Sequence, residues 1–270
     1  MAKPVFGYRT MLRSTGAVVT ASGTESGFAV ASLHDFKTFS LWKFNAVTSP
    51  ANIDVDLGAN TEDADYVALV NSNLKTLGGN VRIFADAFTP PTTPRVALTA
   101  VATDNVFYLP FAAPGVFRYW RIQISHSAPP FAAQPFIGQL QLGLKTELPH
   151  HLAPSFDPFF DDIEAQSSRS EGGHYLGALL RGHIHVGNIS FGQAGAPRAA
   201  FTSDLNAFLD NHALLRRPWV FVLDTADADF DTARYIKVPD GESPSRQAVG
   251  GSWQQLTFEL PVETAFMEPI

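Results

Sequence analysis

Apolar and polar residues alternate in the segment IDVDL at 53–57, where two aspartates separate three aliphatic residues. A period of two is typical of a strand that buries one face. The next apolar run, YVALV at 66–70, is uninterrupted, as in a strand covered on both faces. The polar turn between them is rich in Gly, Asn and Asp. The pattern therefore predicts two neighbouring strands.

The same reasoning predicts several further short strands in the first half of the chain. They are 17–20, 28–33, 80–85, 96–101, 106–109, 117–124 and 137–144. The run AFTPPTTPR at 87–95 contains three prolines, which cannot donate to a sheet ladder, so it is predicted to be an exposed loop. Many short strands without a helical period indicate an antiparallel β-sandwich.

The pattern changes after the proline-containing segment 145–162. Predicted strands at 163–169 and 175–189 flank Gly172-Gly173, a pair that suits a hairpin turn because glycine readily adopts positive φ. Three more strands are predicted at 219–223, 233–238 and 253–261. These boundaries divide the chain into a domain at 1–147, a linker at 148–159 and a second domain at 160–270.

One segment of the second domain has a helical period. Its apolar face is formed by Phe201, Leu205, Phe208, Leu209 and His212. Residues at this spacing lie on one side of a helix. The pattern predicts a single helix over 198–215 that ends before Pro218.

Composition places the chain of 270 residues among globular proteins, since 45% of its residues are hydrophobic and 17% are charged. No apolar run reaches the roughly 18 residues of a membrane-spanning helix, so no membrane insertion is expected. Cysteine is absent. That excludes disulfides and thiolate chemistry.

Charge is distributed unevenly along the chain. Residues 1–147 have a net charge of about +1, whereas residues 148–270 have a net charge of about −8. Binding of nucleic acid requires cations that neutralise phosphates. The acidic half is therefore not expected to grip DNA, but it would suit a wall along which DNA passes.

Histidines are the first candidates for metal chemistry. His183 and His185 stand at i and i+2 of a predicted strand, and a third ligand would come from His174 or the pair His150-His151. No HExxH spacing accompanies them. The acidic run DTADADFD at 224–231 lacks the glycine and closing glutamate of an EF-hand loop, which favours a solvated turn. No metal site is predicted.

Catalytic motifs are also missing from the sequence. There is no G-x-S-x-G elbow, and no glycine-rich phosphate loop follows a strand. A carboxylate pair for glycosidic cleavage depends on a separation in space that a sequence does not reveal. The expectation is a protein that is not an enzyme, with no catalytic residues and no cofactor.

Residues 14–146 resemble a discoidin or coagulation-factor C-type module, a galactose-binding-like jelly roll. The matching segments are TASGTESGFAVASLHD, Trp42, IDVDLG at 53–58, DYVALVNSNL at 65–74, VRIFAD at 81–86, FRYWRIQIS at 117–125 and IGQLQLG at 137–143. In such a fold Trp42 would close one end of the sandwich core.

The resemblance implies glycan binding through loops at one end of the sandwich. The loops it points to are 34–40 and 86–95, with Asp35, Phe88 and Arg95 as candidate glycan-binding residues. The family's calcium loop is not intact, because Phe36 and Lys37 follow Asp35. The alternative is that the phenylalanines of these loops only cover the edge of the sandwich.

Residues 150–270 resemble the tail-tube domain of bacteriophage distal-tail and minor tail proteins, in which a split β-barrel with one flanking helix forms a ring around the DNA channel. The features that carry this resemblance are the hairpin, the helix and the strands PWVFVLD and WQQLTFELPVE. Candidate assembly residues are Leu176, Leu180 and Ile184.

The expected fold class is therefore mainly β: an N-terminal antiparallel jelly-roll sandwich followed by a tail-tube-like split β-barrel with one flanking helix. The first functional hypothesis is a virion protein, made in the host bacterial cytoplasm and located in the phage tail or baseplate. Its partners would be copies of itself in a hexameric ring, the tube, tape-measure and hub proteins, and a host surface glycan, with DNA passing through unbound. The alternative is a carbohydrate-active or carbohydrate-binding protein with a discoidin-like targeting module.

Overall fold

The computed structural model describes residues 4–147, 157–169, 171, 175–191, 204–223, 233–249 and 252–265. The chain is mainly β, with antiparallel strand pairs and one short α-helix in the described part. It divides into two compact units. The sandwich unit comprises Val5–Thr146 with Val222–Ala233, and the hairpin unit contains Glu147–Phe221 and Arg234–Ile270.

The sandwich unit contains most of the strands. They are β1 (Val5–Gly7), β2 (Val18–Ala21), β3 (Trp42–Lys43), β4 (Ala51–Asp56), β5 (Tyr66–Ser72), β6 (Gly79–Asp86), β7 (Pro94–Ala100), β8 (Val106–Pro110), β9 (Tyr119–His126), β10 (Phe136–Gly143) and, at its boundary, β11 (Thr146–Glu147). Two short 3₁₀ helices are found at Met11–Arg13 and Val30–His34.

Two antiparallel sheets form this unit. One has the strand order β3-β10-β5-β8, and the other has the order β2-β4-β9-β6-β7. Their apolar side chains form one cluster of buried residues between Met11 and Leu142. This arrangement is consistent with a jelly-roll sandwich.

The alternation in the sequence explains which sheet has a solvent face. In β4 and β6 every second residue is buried, from Ala51 and Gly79 onward, and the residues between them are half-buried. β5 is buried at six of its seven positions, as its continuous apolar run predicts. The five-stranded sheet therefore has one core face and one polar face.

Trp42 lies in the core, as predicted, with no exposed surface. Its ring is 6.2 Å from that of Phe44, and its Nε1 donates a hydrogen bond of 3.1 Å to the Thr24 hydroxyl. The indole thus has a partner for its only polar group, which a buried tryptophan requires.

Two local predictions need correction. The segment 28–33 is not a strand: a 3₁₀ helix occupies Val30–His34 and buries only Leu33, because its other apolar side chains do not form an alternating face. The proline loop ends at Thr93, two residues earlier than predicted, since Pro94 begins β7. β7 is an edge strand, and proline is tolerated at its first position.

The hairpin unit contains the longest strands of the described chain. They are β12 (Asp157–Arg169), β13 (Tyr175–Phe191), β14 (Trp219–Val222), β15 (Ala233–Lys237), β16 (Ser245–Val249) and β17 (Ser252–Thr264). Their order is β14-β15-β17-β13-β12, and β16 also pairs with β17. β12 begins at Asp157, inside the segment predicted to be a linker.

The predicted helix is shorter in the structure. Helix α1 spans Asp204–Phe208 and continues as a π-helical segment at Leu209–Ala213. Phe208, Leu209 and His212 are buried, which agrees with the predicted face, and Phe208 packs edge-on against Trp219 at 4.9 Å. The first predicted residues, 198–203, lie outside the described part of the chain.

Several other predictions also fall outside it. His150, His151, His174 and the acidic run 224–231 are not among the described residues. Within the described residues, no group of three or more His, Cys, Asp or Glu side chains is placed to hold a metal ion. No helix in the same residues is long and apolar enough to span a membrane.

Substitution Trp42→Ala is expected to lower the free energy of unfolding by about 3–5 kcal/mol, because a large side chain is removed from a close-packed core. Chemical unfolding followed by fluorescence and circular dichroism measures the change. The matched control is Phe39→Ala, since Phe39 is 83% exposed and should change stability by no more than about 0.5 kcal/mol. Equal effects of the two substitutions would contradict the burial of Trp42.

Candidate functional site

Asp35, the first predicted glycan-binding residue, closes the loop 35–40. Its Oδ1 accepts hydrogen bonds from the Lys37 backbone N–H at 2.8 Å and from Gln139 Nε2 at 2.9 Å. Its Oδ2 accepts a bond of 2.8 Å from the Ser40 hydroxyl. The carboxylate is therefore engaged by its own loop and by strand β10.

Gln139 connects the 3₁₀ helix to this loop from inside the protein, where it is 2% exposed. Besides Asp35, its Nε2 donates to the carbonyl oxygens of Ser32 at 2.8 Å and Lys37 at 2.9 Å. Its Oε1 accepts the N–H of Phe36 at 3.0 Å. These partners fix the orientation of the amide, because nitrogen faces only acceptors and oxygen faces a donor.

Three oxygen atoms converging within 2.9 Å of one point would suit a cation, but here that point is the amide nitrogen of Gln139. Calcium needs six to eight oxygen ligands. The residues as arranged do not fit the calcium ion of the family that the sequence resembles. The amide holds the loop together with hydrogen bonds instead.

Arg13 supports the other side of the same loop. Its Nη1 donates to the His34 carbonyl oxygen at 2.9 Å, and its guanidinium lies 4.5 Å from the centroid of the Phe36 ring. Burial lowers the pKa of His34, and the Arg13 charge lowers it further. Because an imidazole with a lowered pKa is neutral at pH 7, no cation is added to this loop.

Phe88 and Arg95, the other two candidates, belong to the loop 87–93 and the start of β7. Phe88 is 80% exposed. Arg95 is held in place: its Nε donates to the Ala85 carbonyl at 3.0 Å, and its guanidinium lies 4.3 Å from the Phe117 ring centroid. The loop therefore exposes the single aromatic ring of Phe88 to solvent, while Arg95 is occupied by contacts within the protein.

Asp86 fixes the proline loop at its base. Its Oδ2 accepts the backbone N–H groups of Thr92 at 2.6 Å and Thr93 at 2.8 Å. Burial alone would raise the pKa of the Asp86 carboxyl, but the hydrogen bonds from Thr93 and Thr92 and the charge of Arg95 hold that pKa below its usual value. This carboxylate is also committed to local structure.

The structure does not bring Asp35 together with Phe88 and Arg95. The Thr38 carbonyl accepts a bond of 3.3 Å from Asn71, near the end of β5, and β6 begins beside that end. The loop 87–93 follows the opposite end of β6, which has eight residues. A strand of that length spans about 25 Å.

Five other loops meet at the end of the sandwich where β4, β6 and β10 begin, here named the loop end. They are 22–29, 44–50, 73–78, 101–105 and 127–135. The register places Ala51 beside Ile124 and Gly79 beside His126. Loops before and after these positions therefore share one edge of the molecule.

Hydrogen bonds connect polar side chains across the loop end. Gln134 Nε2 donates to Glu25 Oε2 at 3.0 Å, and Asn73 Nδ2 donates to the Gln134 carbonyl at 3.1 Å. Asn73 Oδ1 in turn accepts the Phe136 N–H at 2.9 Å. Glu25, Asn73 and Gln134 are half-buried. They come from three separate loops and are held in one chain of contacts.

An aromatic ring and a cation lie next to these three hydrogen-bonded side chains. The Glu25 N–H donates to the Lys43 carbonyl, and the Phe28 N–H donates to the Glu25 carbonyl at 3.1 Å. Lys43 Nζ is 5.5 Å from the centroid of the Phe28 ring. Glu25, Phe28, Lys43, Asn73 and Gln134 are named here the loop-end cluster.

The loop-end cluster combines a carboxylate, two amides, an ammonium and an apolar ring. Such convergent polar groups beside an aromatic surface are typical of small-molecule sites. Sequence reasoning did not find the cluster, since its members are spread over more than 100 positions. Only Glu25 and Phe28, three residues apart in TASGTESGFAV, belong to one motif.

Substitution Gln139→Leu is expected to destabilise the chain by about 1–3 kcal/mol, because the oxygens of Ser32 and Lys37 and the N–H of Phe36 lose their partner. Gln123→Leu, on the solvent face, is the matched control and should cost less. Urea unfolding measures both.

Calcium should leave the melting temperature of the wild-type chain unchanged, because the loop is held by hydrogen bonds from Gln139. A melting temperature that rises with calcium concentration would contradict this account of the loop.

No protein-family model matches the chain, and no curated protein matches it. The solved structures that are similar to it include several carbohydrate-binding modules. CpGH89CBM32-6 of Clostridium perfringens has 13% sequence identity and a TM-score of 0.38, covering 50% of this chain and 98% of that one.

Two further modules align with about half of the chain. CBM32 of AlyQ, solved in complex with 4,5-unsaturated mannuronic acid, has 21% identity and a TM-score of 0.38, covering 46% of this chain and 92% of that one. Chitosan-binding module 1 of a chitosanase/glucanase from Paenibacillus sp. IK-5 has 17% identity and a TM-score of 0.38, covering 50% and 98%. At this level of similarity, any function must be argued from the residues of the chain itself.

Proposed function

We propose that the sandwich unit is a carbohydrate-binding domain whose site is the loop-end cluster. The observation that carries this proposal is the contact of Gln134 with both Glu25 and Asn73, beside the Phe28 ring and the Lys43 ammonium. Three loops and strand β3 supply the polar atoms, so the sandwich fold holds them in position. A preorganised site loses less side-chain entropy on binding.

Sugar chemistry matches this set of groups. Each sugar hydroxyl both donates and accepts. Within the cluster, Gln134 and Asn73 each use one N–H of their amide, and Glu25 uses Oε2. The second N–H of each amide and the Lys43 ammonium are left as donors, and Glu25 Oε1 is left as an acceptor. The apolar ring of Phe28 supplies a surface for the C–H face of a pyranose. Because all five residues are only partly covered, the site suits the end or edge of a glycan at the protein surface.

Binding without catalysis is part of the proposal. Glycosidic cleavage ordinarily uses two carboxylates that flank the scissile bond. The loop-end cluster contains one carboxylate, Glu25, and that carboxylate accepts a hydrogen bond from Gln134. The cluster therefore supports recognition of a sugar and lacks the second acid that hydrolysis would need.

The test is a glycan array probed with the full-length chain, both as isolated protein and in multivalent display, because repetition raises a weak affinity by a factor of about 100 or more. A glycan found in this way is then titrated against variants. Phe28→Ala and Gln134→Ala should each lower the affinity about tenfold, the equivalent of about 1.4 kcal/mol.

Phe88→Ala and Phe39→Ala are the matched controls, since each removes an exposed phenylalanine that is not part of the loop-end cluster, Phe88 at the opposite end of the sandwich and Phe39 in a neighbouring loop. Both should bind like the wild-type chain. If Phe88→Ala abolishes binding while Phe28→Ala does not, the site lies at the proline loop. Silence of the array in both formats would overturn the proposal.

A second function is favoured by one observation in the hairpin unit. β12 has 13 residues and is the last strand in the order of its sheet, paired with β13 on one side only among the described residues. A long open edge of this kind can pair with another chain. We propose that it joins copies of this chain in a ring, the role implied by the resemblance to phage tail proteins.

In that role the chain would belong to a phage tail, with the tube, tape-measure and hub proteins as partners. The net charge of about −8 on residues 148–270 would keep DNA from adhering to the ring. Leu176, Leu180 and Ile184 lie on β13, where Leu180 pairs with Ala165 and Ile184 with Asp162. Their part in assembly stays a prediction.

Assembly is tested by particle mass and electron microscopy of the full-length chain over a range of concentrations. Successive N–H groups of a strand point to opposite sides. One of the variants Gln166→Pro and Ser167→Pro therefore removes an outward N–H of β12, and the other removes a bond to β13.

At least one of these two variants should keep the wild-type circular dichroism spectrum and melting temperature yet fail to assemble. A wild-type chain that remains monomeric at its highest soluble concentration would contradict the ring. So would a pair of folded variants that both assemble normally.

A further inference from the structure

The solvent face of the five-stranded sheet carries rows of polar side chains. In β4, β6 and β9 the half-buried residues alternate with core residues and point outward. The register aligns them across the three strands. The rows are Asp56–Tyr119–Asp86, Asp54–Arg121–Phe84 and Asn52–Gln123–Arg82.

Three of the four arginines on or beside this face are paired with aspartates. Arg121 binds Asp54 with two bonds of 2.6 and 3.0 Å. The Arg118–Asp56 pair has the same geometry, with bonds of 2.7 and 3.0 Å, and Arg95 lies 3.8 Å from the Asp86 carboxylate. Their charges are neutralised within the protein.

Arg82 is the exception. Its guanidinium lies 5.2 Å from the centroid of the Phe84 ring. Within the described residues no carboxylate pairs with it, and its Nε is buried without a hydrogen-bond partner. A covered polar atom without a partner costs free energy, and most such atoms in proteins have one. Arg82 therefore places an uncompensated charge on an otherwise neutralised face.

An amide pair stands in the same row as Arg82. Gln123 faces Arg82 across one strand boundary and donates to Asn52 Oδ1 at 3.2 Å across the next. Adjacent strands are about 4.8 Å apart, so the row is about 10 Å long. It combines one fork-shaped cation with two groups that both donate and accept hydrogen bonds.

We propose that the row Asn52–Gln123–Arg82 is a second binding surface of the sandwich unit and takes a sugar that carries a carboxylate, such as a uronic acid. Arg82 binds the carboxylate through its guanidinium, the geometry in which arginine forms two parallel hydrogen bonds. The amides of Gln123 and Asn52 bind ring hydroxyls. The unpaired cation of Arg82 indicates a negatively charged ligand. That this ligand is a sugar rests on the proposed function.

The experiment titrates the full-length chain with tetragalacturonate and with its methyl ester, which has the same rings but no charge. The acid should bind more tightly, and the difference should shrink as salt concentration rises. Arg82→Gln should lower the affinity for the acid about tenfold and remove the difference between the two probes. Arg82→Lys keeps the charge without the fork and should retain part of the affinity.

Two control variants distinguish binding at this surface from a general effect of net charge and from binding at the loop-end cluster. Lys75→Gln changes the net charge by the same amount at an exposed loop position and should leave binding of the acid unchanged. Phe28→Ala, which removes the aromatic ring of the loop-end cluster, should also leave it unchanged. The two proposals thus fail independently.

Four outcomes would overturn the proposal. They are no binding of tetragalacturonate by the wild-type chain, equal binding by Arg82→Gln, an equal loss in Phe28→Ala, and equally tight, Arg82-dependent binding of oligoglutamate. The last would assign the surface to an acidic peptide.

Discussion

The register of β9 between β4 and β6 is the constraint on which the sandwich unit depends. It places Trp120 between Val55 and Ala85, all of them buried, and it places Arg121 between Asp54 and Phe84 on the solvent face. A slip of one residue would exchange these two sets, moving an indole into water and a guanidinium into the core. The register of β9 therefore determines both which residues form the core and which form the polar rows, and a change in one set would change the other.

Sequence patterns predicted the elements that this constraint governs. The alternation in 53–57 and 80–85 identified β4 and β6, and the continuous apolar run identified β5. Prediction failed where burial does not alternate, as at Val30–His34, where Leu33 is buried, Val30 packs against the core and the backbone is helical. In the hairpin unit the period of the helix was correct for Phe208, Leu209 and His212, although the helical segment in the described residues is shorter than its pattern.

The candidate site was less predictable, for a physical reason. Asp35 and Arg95 have the residue types that bind sugars, but their polar atoms already have partners in Lys37, Gln139 and Ala85. A hydrogen bond between side chains that are more than 100 residues apart in the sequence cannot be predicted from one sequence. The members of the loop-end cluster are just as far apart, so the cluster could not be predicted either. Arg82 stands out only after the partners of Arg95, Arg118 and Arg121 have been assigned.

The two proposed surfaces are neighbours because of where the strands begin. Gly79 and His126 pair at the loop end, and Arg82 and Gln123 follow three residues further along the same two strands. Three residues of a strand span about 10 Å, so the Arg82 row begins close to the loop-end loops. If both surfaces bind, a glycan with an uncharged terminal sugar, unlike tetragalacturonate, could contact the loop-end cluster with that sugar and the sheet with a uronic acid further along. Once the glycan is bound at one surface, its contact with the other surface is intramolecular, and this raises the overall affinity for the glycan. A site built this way would select for glycan length and charge together, a selectivity that neither surface has alone.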